Sequence, residues 1–168
     1  MDIDVYMETY SDYLYRIALV YVKDEGLAEE IVQDVFFTFS KKHTQFRGDA
    51  SLKTYLTKMT VNRAYDYLRS WKYRGQQLIE KMQPAAHQTE RIVFYRETYG
   101  EVTAAIFTLP LKYREVILLH YYEEMTTKEM AQFTKVPEST IKSRLQRARV
   151  LLKEQLHTIE WEEMDYEN

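Results

Sequence analysis

The sequence predicts an all-α protein of two small helical modules joined by a flexible linker, the second module containing a helix-turn-helix. Three observations carry that expectation. The 168 residues include only 4 glycines and 3 prolines, too few chain-breakers for a turn-rich β protein. Apolar residues recur every three or four positions rather than alternating. The periodicity fades once, from about Tyr73 to Thr89, where Gly75, Gln76, Gln77, Pro84, Ala85, Ala86 and His87 read as a linker. A first module is therefore expected at 1–72, a linker at 73–89, a second module at 90–157 and a frayed acidic tail at 158–168.

Each element has its own signal. Ala28, Ile31, Val32, Val35, Phe36 and Phe39 form a helical stripe. Gln45 to Ala50 is a turn centred on Gly48, and Asp49 or Ser51 can cap the helix that follows, from about Ser51 to Trp71. Helical signal returns at Glu90. Pro110 suits the start of a helix through Tyr122, because its φ is already set. A short helix at about Thr127–Phe133, a turn at Thr134-Lys135-Val136 and a longer helix from Pro137 to about Leu156 complete the chain.

The chain contains no cysteine, which excludes disulfides and thiolate metal sites and fits a reducing compartment. The acidic start Met1-Asp2-Ile3-Asp4 is unlike a signal peptide, and the apolar run Ile17 to Val22 is too short to cross a bilayer. A cytoplasmic location is expected. The net charge of −3 argues against nucleic acid, but its distribution argues for it. Residues 41–75 carry nine basic and two acidic side chains, and residues 126–153 carry seven and two. Acidic blocks at 1–40 and 154–168 flank them. Local potential, not total charge, attracts phosphate.

The strongest constellation is C-terminal. At 100° per residue, Ile141, Leu145, Ala148 and Leu152 fall on one stripe, which faces the core. Ser139, Lys142, Ser143, Gln146 and Arg147 fall opposite. The serines permit close approach to a groove, and Lys, Gln and Arg reach base edges or phosphates. Arg149 and Lys153 extend the charge. The competing reading is a helical hairpin with a solvated basic face. The turn has no glycine, and a positive φ at Lys135 costs about 1 kcal/mol relative to Gly.

On the helix from Ser51, the positions Thr54, Lys58, Asn62, Tyr65, Arg69 and Lys72 share a face. Leu52, Leu56, Met59, Thr60, Tyr67 and Trp71 take the other side, where Arg63 intrudes. Cations with interleaved Tyr and Asn suit unstacked bases, and they equally suit a solvated face. On the preceding helix, Glu30, Gln33, Asp34, Phe37 and Lys41 lie outside the apolar stripe. An exposed Phe37 suits a protein interface; packing on the N-terminal helix suits it as well. Enzyme readings lack support. His43, His87, His120 and His157 have no metal-ligand spacing, no glycine-rich phosphate loop exists, and adjacent pairs such as Glu123-Glu124 point apart on a helix. No catalytic residue, metal, cofactor or small-molecule substrate is expected.

Together these segments resemble an extracytoplasmic-function (ECF) sigma factor, of the sigma-70 family of bacterial RNA polymerase. Leu27 through Phe36 is similar to the family's polymerase-binding helix. Phe46 through Ser51 with Tyr55-Leu56 and Val61-Asn62 is similar to its −10 reader. Leu109-Pro110, Tyr113 through Val116 and Pro137 through Arg149 are similar to its −35 module. The resemblance spans nearly the whole chain in order. It implies that Glu30, Gln33, Asp34 and Phe37 meet the clamp helices of the largest polymerase subunit. It implies that Phe46, Arg47, Gly48, Asp49, Ser51, Lys58, Asn62 and Arg69 engage the −10 strand, with a base flipped into a pocket. Ser139, Lys142, Ser143, Gln146 and Arg147 would read the −35 major groove. Core polymerase, promoter DNA and a membrane-bound anti-sigma factor are the implied partners. The sequence departs from the family pattern at Tyr55, where Trp is frequent, and at Lys135, where Gly is frequent. A stand-alone helix-turn-helix regulator and a helical interaction protein without DNA are the alternative classes.

Overall fold

The computed structural model describes residues 2–43, 46, 51–82 and 85–156. Among them every regular element is helical: α1 Ile3–Val22, α2 Glu25–Lys42, α3 Leu52–Leu68, α4 Trp71–Lys81, α5 Ala85–Tyr99, α6 Glu101–Phe107, α7 Leu111–Ile117, α8 Thr127–Thr134 and α9 Glu138–Gln155. A π-helical turn, Leu118–Tyr122, prolongs α7. The chain divides into two compact units, Met1–Met82 and Gln83–Asn168.

In the first unit α1, α2 and α3 pack on one another. Leu14, Ile17, Ala18 and Tyr21 of α1 are buried, as is the expected α2 stripe of Ala28, Ile31, Val32, Val35, Phe36 and Phe39, and the two helices pack together. Side-chain caps define the helix starts. Asp24 Oδ1 accepts from the Leu27 amide at 2.9 Å, and Ser51 Oγ from the Thr54 amide at 3.1 Å. Lys23 closes α1 in the left-handed region at φ 54°, its amide donating to the Leu19 carbonyl.

The third helix buries a stripe that only partly matches the expected one: Leu56 and Thr60 are buried as expected, together with Thr57, Val61, Ala64 and Leu68, whereas Leu52, Met59 and Tyr67 are only half-buried. Small residues and threonines take the core side because their hydroxyls are satisfied locally. Thr57 Oγ1 donates to the Lys53 carbonyl and Thr60 Oγ1 to the Leu56 carbonyl, both at 2.8 Å. This helix also ends at Leu68, short of Trp71.

The stretch expected to be a flexible linker is largely helical, since α4 and the start of α5 occupy it. Gln, Leu, Ile, Glu and Lys are adequate helix formers. The apolar residues Leu78, Ile79 and Met82 are exposed, so the stretch lacks the one-sided burial that the reading sought.

The second unit is built around Val116, Leu119, Met130, Ile141, Leu145, Ala148 and Leu152. Arg114 is buried beside this core, its Nη1 donating to the Leu109 carbonyl at 2.7 Å. Thr126 caps α8: the Glu129 amide donates to Thr126 Oγ1, which donates in turn to Glu129 Oε1. The expected helix through Tyr122 is present, and its last five residues, Leu118–Tyr122, widen into the π-helical turn. Glu124 then takes φ 56° and redirects the chain toward α8.

Candidate nucleic-acid and protein interfaces

The helix-turn-helix comprises α8, a turn and α9. Lys135 has φ 58° and ψ 34°, the left-handed value that a glycine would adopt more cheaply. The α9 stripe of Ile141, Leu145, Ala148 and Leu152 is buried, and Ser139, Lys142, Ser143, Gln146 and Arg147 are all exposed. The five expected groove residues thus share one open face on a helix whose other side is fixed in the core. Ser143 Oγ donates to the Thr140 carbonyl at 3.0 Å, which keeps that hydroxyl low on the helix surface. Lys142 Nζ lies 3.7 Å from Glu138 Oε1. Arg149 is withdrawn from the expected basic extension: its Nε donates to Tyr121 Oη at 2.6 Å and its guanidinium lies 5.7 Å from the Tyr121 ring centre. Lys153 remains exposed.

In the first unit, Asn62 and Arg69 are exposed on α3 and Lys58 is half-buried. Tyr65, expected on the open face, is half-buried edge-on against Tyr21 at 5.6 Å, and Arg69 stacks over it at 5.7 Å. Phe46 packs on Tyr55 at 5.1 Å, and Tyr55 packs on the buried Phe39 at 6.1 Å. Tyr55 lies two turns before Asn62 on the same side of α3. The Phe46 contact therefore brings the chain entering the expected reading loop onto the side that carries Asn62. Ser51 at the loop's exit is the α3 cap. Arg47, Gly48 and Asp49 lie outside the described residues. Tyr55 is an anchor that residue type alone did not reveal.

On α2, Glu30, Gln33 and Phe37 are exposed, Phe37 to 62%. Phe37 therefore lies outside the core. Lys41 Nζ sits 4.3 Å over its ring. Asp34 is half-buried and bound: its Oδ2 accepts from Arg63 Nε at 2.9 Å and lies 2.8 Å from Nη2. The Arg63 that intruded on the expected apolar side of α3 is thereby matched across to α2. Acidic charge also gathers at the α1–α2 corner. Burial, then Glu25, Glu29 and Asp24, pushes the Tyr15 hydroxyl above its ordinary range.

Among the described residues no group of three or more His, Asp or Glu side chains is placed to hold a metal ion. No described helix is long and apolar enough to cross a membrane.

Two family models match the chain in order: Sigma-70 region 2 over residues 6–73 and Sigma-70, region 4 over residues 99–152. ECF RNA polymerase sigma factor SigM of Bacillus subtilis (strain 168) is 30% identical over 161 residues, covering 91% of this chain and 94% of the relative. RNA polymerase sigma factor SigV of the same organism is 29% identical, covering 84% and 83%. In fold, the chain is similar to the sigma factor RpoE solved with the anti-sigma factor NepR from Bartonella quintana, with a TM-score of 0.68 at 23% identity, covering 94% of this chain and 98% of that one. CnrH, solved with the cytosolic domain of CnrY, gives a TM-score of 0.61 at 20% identity, covering 94% and 89%.

Proposed function

The chain belongs to the sigma-70 family, within its extracytoplasmic-function group, and on that premise we propose that it directs core RNA polymerase to specific promoters and initiates transcription there. The observation that carries this reading is α9, whose exposed polar residues stand opposite a fully buried stripe in the matched region 4.

The work is binding rather than bond chemistry, so the protein is a transcription initiation factor and not an enzyme. Residues 1–72 form the core-binding and −10 module, 73–89 the connector, 90–157 the upstream module and 158–168 an acidic tail. Glu30, Gln33 and Phe37 meet the clamp helices of the largest polymerase subunit, and Asp34 holds its place beside them through Arg63. Once the strands part, Asn62 reads a base held at the Phe46–Ser51 loop. Its amide supplies both donors and an acceptor. Arg47, Gly48 and Asp49 belong to that loop, and Lys58 and Arg69 supply phosphate contacts. Upstream, Ser139, Lys142, Ser143, Gln146 and Arg147 enter the major groove. Two weak DNA contacts joined on one polymerase combine through effective concentration. The protein acts in the bacterial cytoplasm, where its polymerase is. Control by an anti-sigma factor, here a membrane-bound one, belongs to the same reading; RpoE, a sigma factor of similar fold, is solved with the anti-sigma factor NepR.

Run-off transcription with purified core polymerase on genomic fragments tests the proposal. Discrete promoter-dependent products are expected only when the protein is added. Duplex binding with no gain in transcription would instead indicate a stand-alone helix-turn-helix regulator.

A further inference from the structure

We propose that Glu138 is a positioning residue of the upstream reader, which sets the recognition helix on its supporting helix through Thr127 and restrains the Lys142 ammonium. The inference rests on the reading that α9 enters the major groove. Helix α9 starts at Glu138, directly after Pro137, and no side chain caps it. A carboxylate in that first turn is favoured by the helix dipole.

Glu138 Oε1 accepts a hydrogen bond from Thr127 Oγ1 at 2.9 Å, across 11 positions of sequence. Thr127 is buried at the first position of α8. The bond therefore ties together the N-terminal ends of the two helices of the motif. The same Oε1 lies 3.7 Å from Lys142 Nζ, one turn along α9. One carboxylate oxygen thus connects the supporting helix to a cation of the reading face.

Each contact has its own consequence. Met130, Ile141 and Leu145 hold α8 and α9 together, but apolar packing is weakly directional. A hydrogen bond is directional, and this one fixes the rotation of α9, hence which side chains reach the base edges. The second contact concerns charge. A phosphate must compete with Glu138 for Lys142, and the carboxylate itself repels the DNA backbone. Non-specific binding is nearly all electrostatic, so it is weakened more than specific binding. Glu138 therefore raises the ratio of specific to non-specific affinity rather than affinity itself.

The test titrates the full chain onto two labelled duplexes of equal length, followed by fluorescence anisotropy across salt concentrations. One duplex is selected from a random pool by the chain with core polymerase; the other is its scrambled counterpart. In Glu138→Gln the amide oxygen still accepts from Thr127 but no longer holds Lys142. This variant should bind the scrambled duplex several-fold tighter, with a log–log salt slope steeper by about one. Thr127→Val removes the donor and keeps the ion pair. It should retain the slope and lose roughly three- to ten-fold in discrimination, a range typical of a weakened base contact, and Thr127→Ser should restore it. A merely structural role would lower both affinities together and move neither slope nor ratio. Wild-type scrambled affinity and slope in Glu138→Gln, or wild-type discrimination in Thr127→Val, overturns the inference. Arg147→Ala is the control. If it too binds as wild type, the reading of α9 as the groove helix fails; if it is impaired while the other variants are unmoved, only the role of Glu138 fails.

Discussion

Phe37 leaves 62% of its surface in solvent, with the Lys41 ammonium 4.3 Å above its ring, on a helix whose opposite side is fully buried. An aromatic held open in this way costs little to remove from the free protein and much to remove from an interface. Phe37→Ala should weaken core polymerase binding about ten-fold or more, with the melting temperature nearly unchanged, as measured by titration and calorimetry. A fall of several degrees would place the ring in the core instead. Asn62 makes a separable claim, since its amide is useful only once a base has left the stack. Asn62→Ala should reduce permanganate reactivity of promoter thymines while core binding and upstream-element binding persist. Equal loss in all three assays would make the residue structural.

Helix α9 and its turn show how local geometry sets a reading face. Lys135 carries the left-handed turn without a glycine. Lys135→Gly should stabilise the second unit by up to about 1 kcal/mol, seen as a rise of a few degrees in its thermal transition. No rise would mean that Lys135 is held by contacts that offset the strain. Leu145, buried in the α9 stripe, is the converse case. Leu145→Ala should cost about 2–5 kcal/mol and abolish upstream-element binding with the unit's cooperative unfolding. The α9 faces were legible in the sequence because four aliphatic residues at spacings of three and four leave one solution. The α3 faces were only partly legible: Leu56 and Thr60 are buried as expected, but Thr57 and Ala64 do not announce burial, whereas Leu52 and Met59 announce more than they deliver. Helix α4 was missed for the opposite reason: Leu78, Ile79 and Met82 have helical spacing but do not join a core.

At the scale of the whole molecule, a weak upstream contact matters only while it is coupled to a second contact through polymerase. In a Lys142→Ala/Arg147→Ala double variant, transcription from a closed duplex promoter should fall about ten-fold or more, following the loss of base and phosphate contacts. On a template opened in advance around the −10 element, the same variant should remain within about two-fold of wild type, because opening no longer draws on upstream binding energy. Equal loss on both templates would show that α9 acts somewhere other than upstream duplex recognition.

The all-helical class, the α2 and α9 stripes and a cap at Asp49 or Ser51 were determined by the sequence itself. Each depends on periodicity or on a residue's local backbone preference, which need no distant partner. Tertiary structure alone decided the rest. It paired Asp34 with Arg63 across 29 positions, drew Arg149 onto Tyr121, set Phe46 on Tyr55 and joined Glu138 to Thr127. A side chain's partner across two helices depends on crossing angle and rotation, which follow from how whole faces pack rather than from spacing along either strand of sequence.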